Sequence, residues 1–308
     1  MNTATKLAGY AGGLAVIFTA ALGLGAATGS PADTTTDHST HEAAADAGHT
    51  EAATPAGLQV SERGYTLSEV TAPVATNQPG TLAFRILGPD GAPVTTFDDL
   101  HEKQLHLIAV RTDTSGFRHV HPALDANGTW SIDWTWARGG TYRVFADFQP
   151  SGGPGQLTLG RNVEVAGDLA PTPLPAPSQV AEVDGYQVTL DGDLTTEGGP
   201  LTLTVTRDGK PVTDLQPYLG AYGHLVALRA GDLAYLHVHP QGEPGDGVTA
   251  PGPEITFHAQ APSDGSYRVY LDFQHENVVR TAEFTVATGK TEAATPAAPQ
   301  PATGGHGH

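Results

Sequence analysis

The chain reads as all-β: two tandem immunoglobulin-like β-sandwiches behind an N-terminal hydrophobic helix, with disordered tails. Three observations predict this. Glycine (38) and proline (24) are abundant, and short apolar runs recur between turn residues, a pattern of strands rather than helices. The chain also repeats itself. Shifted by 118 positions, Gly91–Pro122 overlays Gly209–Pro240 without a gap, and twelve of the 32 positions are identical. Finally, each copy offers about seven short strands in roughly 100 residues, the profile of an immunoglobulin-like sandwich.

Residues 1–30 place Lys6 before an uncharged run from Leu7 to Gly29. This is a signal peptide or a membrane anchor: Gly25-Ala-Ala27 and Ser30-Pro-Ala32 are small enough for cleavage, and the run is long enough to span a bilayer. A lysine ahead of it keeps the N-terminus inside, so the remainder is extracytoplasmic, secreted or held at the cell membrane. Residues 31–57 are rich in Ala, Thr, Asp and Glu, with His38, His41 and His49 scattered among them. Such a segment buries no core and reads as a disordered spacer. Residues 288–308 have the same character and end in His306 and His308.

The first repeat is expected over 58–167 and the second over 180–287. Gly64-Tyr65 and Gly185-Tyr186 each open a strand. Leu82–Ile86 and Leu201–Val205 alternate as half-buried strands do. Pro89–Pro93 and Arg207–Pro211 both carry Asp-Gly, the strongest short hairpin signal. Trp130–Trp136 and Glu254–Phe257 are strands, as are Gly140–Gln149 and its match Gly265–Gln274. Arg161–Val165 and Thr281–Val286 close the two units. Between the repeats, 168–179 is a proline-rich linker that stiffens the connection.

The duplicated stretch carries the chemistry. His106, His119 and His121 recur as His224, His237 and His239, at the spacing His-x12-His-x-His-Pro. Read as a hairpin, with Gly231-Asp232 as its two-residue turn, this places His224 opposite His239 and His106 opposite His121. The middle histidine lies on the same face. Three imidazoles can then converge in each repeat, forming a metal site of three histidines. The same face carries Ile108, Val110 and Phe117, or Val226, Leu228 and Tyr235, so the alternative is a core face with hydrogen-bonded histidines.

Asp147 and Asp272, from the twice-occurring Tyr-Arg-Val-x-x-Asp-Phe-Gln, are candidates for a fourth ligand or for a carboxylate that accepts the far N–H of a ligating histidine. Their alternative is an outward-facing acid paired with Arg143 or Arg268. His275 can add a ligand to the second site alone. His101, Glu102, Asp98 and Asp99 make the approach to the first hairpin cation-attracting.

The formal charge of −18 argues against nucleic acid and suits a cation. With no cysteine, and Met1 the only methionine, thiolate and methionine-rich sites are excluded. Imidazole and oxygen donors remain, and these suit Cu(II), Zn(II) or Ni(II) better than Cu(I). No nucleophile elbow, phosphate loop or dinucleotide fingerprint occurs, and no general base accompanies the triads, so the reading leans away from an enzyme.

The Tyr-Arg-Val-x-x-Asp-Phe and His-Val-His-Pro elements, duplicated behind a hydrophobic segment, resemble a family of exported bacterial proteins with paired His-x-His-Pro β-sandwich units. The resemblance spans about Gly64 to Val286 and implies the fold and the location. In general architecture the chain also resembles the extracytoplasmic β-sandwich proteins of copper handling. Those rely on an N-terminal histidine or on methionine clusters, from which this chain departs.

The expected function is extracytoplasmic binding, sequestration or transfer of Cu(II) or Zn(II), one three-histidine cluster per repeat. Binding that needs neutral imidazoles should weaken as pH falls through about 6 to 6.5. The alternatives are an envelope interaction module, with a protein partner and structural histidines, and more remotely a metal-dependent hydrolase.

Overall fold

The computed structural model describes residues 54–288 except His237. The N-terminal hydrophobic segment, the spacer up to residue 53, His237 and the tail from residue 289 lie outside the described residues. No helix among the described residues is long and apolar enough to cross a membrane.

The first repeat consists of β1 (Ser61–Glu62), β2 (Tyr65–Leu67), β3 (Gly80–Leu87), β4 (Phe97–Asp98), β5 (Leu105–Arg111), β6 (Arg118–Val120), β7 (Ala123–Leu124), β8 (Thr129–Trp134), β9 (Gly140–Pro150) and β10 (Leu157–Val165). One sheet has the order β1-β2-β3-β8-β7. The other runs β10-β9-β5-β6, with β4 also on β9. The second repeat follows the same plan with β11 (Val180–Val183), β12 (Tyr186–Asp191), β13 (Gly199–Arg207), β14 (Lys210–Pro211), β15 (His224–Arg229), β16 (Tyr235–Leu236), β17 (Val238–Pro240), β18 (Glu254–Ala259), β19 (Ser266–His275) and β20 (Val278–Ala287). Its sheets are β11-β12-β13-β18-β17, with β14 on β13, and β16-β15-β19-β20.

These are immunoglobulin-like sandwiches, and a tyrosine corner marks each one. Tyr142 Oη donates to the Arg138 carbonyl at 3.0 Å, and Tyr267 Oη to that of Ser263 at 2.6 Å, each reaching back four residues at the start of its strand. The Asp-Gly signal in the second repeat is a primed turn: Asp208 and Gly209 have φ of +51° and +71° between the paired Arg207 and Lys210.

Each sandwich has its own core. In the first, Leu82, Phe84, Leu107, Trp130, Val144 and Phe148 pack together; in the second, Val188, Leu203, Phe257, Val269, Leu271 and Phe273 do so. A third cluster lies between the repeats. Ile108, Val110 and Phe145 of the first pack with Val226, Leu228, Leu233, Tyr235 and Tyr270 of the second. This explains why β5 is buried at every position. Leu105, Leu107 and Ala109 turn into their own sandwich, while Ile108 and Val110 on the opposite face meet the other repeat.

Polar contacts hold the same arrangement. Tyr270 Oη donates to the Thr114 carbonyl at 2.7 Å, and the Phe117 and Tyr270 rings stack at 3.9 Å. The linker is also fastened down: Arg138 Nη2 donates to the Ala170 carbonyl at 2.9 Å, and the Thr172 amide to Asp113 at 2.7 Å. Residues just ahead of the first repeat enter the seam. The Tyr235 amide donates to the Ala56 carbonyl, and Arg143 Nη2 to that of Gly57 at 2.6 Å. Gly160 permits this approach, since a β-carbon there would lie 2.1 Å from the Gly57 oxygen.

Candidate metal centre

In the first repeat the histidine hairpin forms in the expected register. Leu107 faces Val120 and Ile108 faces His119, the pairing that sets His106 against His121. The second hairpin begins alike, with Ala227 facing Leu236, but the expected opposition of His224 and His239 does not follow. After Leu236 the chain crosses to the other sheet, where Val238–Pro240 pairs with β18 and His239 lies exposed opposite His258. The Gly231-Asp232 turn is wider than two residues. The Leu233 amide bonds to the Arg229 carbonyl, and Leu233 takes φ +62°.

His106, His119 and His121 offer ring nitrogens that all lie within 4.8 Å of one another. His106 Nε2 lies 2.8 Å from the Leu100 carbonyl. A carbonyl only accepts, so this nitrogen carries the proton and Nδ1 holds a lone pair. His119 Nδ1 donates across the seam to Asp272 Oδ2 at 2.8 Å, which leaves the lone pair of a neutral His119 on Nε2. That Nε2 is 2.9 Å from His106 Nδ1, and His121 Nε2 is 3.2 Å from the same atom. Two lone pairs thus face each other with a third nitrogen beside them. Such an arrangement asks for a cation.

The second repeat contributes more than Asp272. The His224 ring centre lies 4.7 Å from that of His119 and 5.2 Å from that of His106. His224 is buried, and its Nδ1 has no hydrogen-bond partner. His101 stands at the edge of the group, 5.5 Å from His224 and 6.1 Å from His106, centre to centre. It was foreseen only as charge on the approach. Leu100 and Lys103 bond to each other's backbone around a tight turn in which His101 and Glu102 take φ of +48° and +65°, and this turn sets His101 beside His106. The matching turn of the second repeat, Tyr218–Ala221, has Gly220 in place of Glu102. That glycine was the available signal.

The two aspartates hold equivalent register positions, Asp147 opposite His106 and Asp272 opposite His224, but do different things. Asp272 accepts from His119 of the other repeat and from Thr281 Oγ1 at 2.6 Å. Asp147 accepts from Gln156 and Thr158, and among the described residues no histidine bonds to it. Both are buried rather than outward-facing. Neither pairs with the neighbouring arginine: Arg143 binds Gly57 and Asn162, and Arg268 binds Glu283 and Thr285. His275 is apart from the cluster, its ring held between Tyr186 Oη at 2.7 Å and Asp214 at 3.1 Å.

Burial keeps His101, His106, His121 and His224 neutral. It pushes His106 down to about 4 and His121 to about 3, a proton on His119 being the next cause in each case, and it holds His224 well below the ordinary imidazole range. His101 is lowered in the same way. The sign of the pH dependence follows. In the unfolded chain these rings take up protons near pH 6.5, whereas in the folded protein His106 and His121 refuse them until about pH 4 and 3. Their contribution to stability is therefore complete above pH 6.5 and erodes on acidification towards 4. The melting temperature of the metal-free protein should fall across that window, and replacing His106 and His121 with glutamine should flatten the fall. As ligands, both rings stay free of protons well below the pH 6 to 6.5 expected of exposed imidazoles.

Comparison with known proteins adds a family and little else. No curated protein matches the chain. Solved structures similar to it include a titin segment, at 11% identity over 72% of this chain and 97% of that one, with a TM-score of 0.19. The fibronectin(III)-like modules of Clostridium thermocellum CbhA match at 11% identity over 72% and 94%, TM-score 0.19. Domains 4 and 5 of the S-layer protein SbsC match at 12% over 75% and 98%, TM-score 0.20. At these scores the likeness carries no argument, and the sandwich assignment rests on the topology and the tyrosine corners. The model of one family covers residues 59–165 and again 181–290, well over half of the chain. The protein thus belongs to the family described as Domain of unknown function (DUF8832), whose domain it carries twice.

Proposed function

We propose that the protein binds a divalent transition-metal ion, Cu(II) or Zn(II), through His106, His119 and His121, and that it sequesters or passes on that ion outside the cytoplasmic membrane. One observation carries the reading: His106 Nδ1 and His119 Nε2 lie 2.9 Å apart, lone pair against lone pair when His119 is neutral, with His121 Nε2 3.2 Å from His106 Nδ1. Neutral, buried imidazoles are the protonation state a metal needs. Asp272 on the far nitrogen of His119 fixes the tautomer that directs Nε2 inward, the usual role of a carboxylate behind a ligating histidine. The acidic chain as a whole favours capture of a cation. Among the described residues the histidines gather at one centre, His224 standing beside the first triad while His239 lies on the other sheet.

A second reading draws on the same 2.9 Å separation. A proton on His119 would let it donate to both Asp272 and His106, making the cluster a structural ion pair within an envelope interaction module. Calorimetric titration separates the two. The full chain, with His38, His41, His49, His306 and His308 changed to glutamine to silence the tails, is titrated with Zn(II) and with Cu(II). One ion bound with submicromolar affinity, and lost when His106, His119 and His121 become alanine, is the expected result. No binding by the folded protein, or binding indifferent to the triad, overturns the proposal in favour of the structural pair.

A further inference from the structure

We infer that His224 of the second repeat supplies a fourth nitrogen to the ion, so that both repeats hold the metal and no open position is left for water. The inference rests on the reading that the triad binds metal, and it names the residue that completes the site.

The spacing of the rings supports it first. A ligating nitrogen sits about 2.0–2.1 Å from zinc and its ring centre roughly 1 Å beyond, which places the centres of two rings on one ion about 4.5–5.5 Å apart. Within the triad the centres are 5.2, 4.9 and 5.0 Å apart, and His224 stands 5.2 and 4.7 Å from His106 and His119. His224 therefore keeps the same spacing to its neighbours that the triad keeps internally. His101 reaches that range only to His224, at 5.5 Å; from His106 it stands 6.1 Å away, and it is partly exposed.

The second support is the unpartnered nitrogen. His224 is 9% exposed and its Nδ1 meets no hydrogen-bond partner. A buried polar atom left unsatisfied costs about 1–3 kcal/mol, and natural structures seldom keep one without a use. Among the described residues no other fully buried histidine nitrogen lacks a partner. His275, also buried in the second repeat, has both of its nitrogens satisfied. What the His224 nitrogen lacks is a partner, and an ion held by the neighbouring triad would be one.

The third support is how the seam is built. Asp272, three residues before the end of β19 and directly opposite His224 in register, already reaches across to His119. An ion held by His106, His119, His121 and His224 would add a second, stronger tie at the same place. A closed set of four imidazoles is the pattern of a holding site, whereas hydrolytic zinc keeps three protein ligands and a water.

X-ray absorption at the zinc edge of the full chain, with the tail histidines changed to glutamine and loaded with Zn(II), counts the imidazoles directly and needs no further variant. Four is expected; three with an added oxygen overturns the inference while leaving the triad standing. Titration of His224→Phe, which keeps a ring in the same volume, should show Zn(II) weakened by about 10-fold or more, at least what losing an outer hydrogen-bond partner costs. Titration of His101→Ala should leave affinity and the count of four unchanged. Unaltered affinity in a folded His224→Phe, or a count that falls in His101→Ala, also overturns it. Failure of the unmodified triad to bind Zn(II) at all is a different result, and it removes the proposed function itself.

Discussion

Replacing His119 with alanine is expected to lower metal affinity by about 100-fold or more and to destabilise the metal-free protein at the same time. The two losses have one cause. His119 is the ring that both faces the other two imidazoles and crosses the seam, with Nε2 2.9 Å from His106 and Nδ1 2.8 Å from Asp272. Its side chain is 1% exposed and that of Asp272 is 5% exposed. Removing the imidazole strands a buried carboxylate that retains only the Thr281 hydroxyl, and breaking a buried polar pair from one side costs about 3–5 kcal/mol. Asp272→Asn is the informative partner. It keeps the volume and leaves all the ligands in place, so affinity should fall by about 10–100-fold, the effect of losing a partner behind a ligand. Calorimetry gives the affinities and denaturant unfolding of the metal-free chain gives the stabilities. If His119→Ala binds Zn(II) as the parent does, the triad is not the site. If only stability falls, the histidines are a structural cluster.

Much of this arrangement was legible in the sequence. The duplication and the turn residues show two sandwiches, and the strand period shows which side of each hairpin the histidines occupy. The first hairpin follows that logic to the residue, because Thr112–Gly116 is long enough to close without shifting the register. The second departs from it between Leu236 and Val238, which belong to different sheets. That crossing depends on how much of the edge strand the sandwich can pair, which no local propensity encodes. The pairing of the two repeats was hidden for a different reason. Ile108, Val110, Val226 and Leu228 announced an apolar face beside the histidines, but a face only says that something covers it. That each repeat covers the other is a fact of tertiary packing. It brings His224 of the second repeat beside the first triad and makes Asp272 a partner of His119. His101 was hidden because His101-Glu102 is an unusual pair for a turn with two positive φ values, so the turn carried no glycine or asparagine to mark it.

If the seam between the repeats holds the site together, an apolar truncation there should weaken metal binding without touching a ligand. Phe145 and Phe148 allow a controlled comparison. Both lie on β9 and both are 0% exposed, yet they face opposite ways: Phe148 into the first sandwich, Phe145 into the cluster shared with Val226, Leu228 and Tyr270. Either change to alanine should cost about 3–5 kcal/mol, the range for removing a buried phenylalanine. The cost of Phe148→Ala falls on the packing of one sandwich, and the histidine face of β5 keeps its partner. The cost of Phe145→Ala falls on the contact that presses the second repeat against His106 and His119. The repeats then part more readily, and Asp272 and His224 spend less time in reach. At a temperature where both variants remain folded by circular dichroism, Phe145→Ala should bind Zn(II) several-fold more weakly than Phe148→Ala. Equal affinities would mean that the first repeat holds the ion unaided. In that case the second repeat is a neighbour of the centre rather than a part of it, and the contact between His119 and Asp272 serves stability alone.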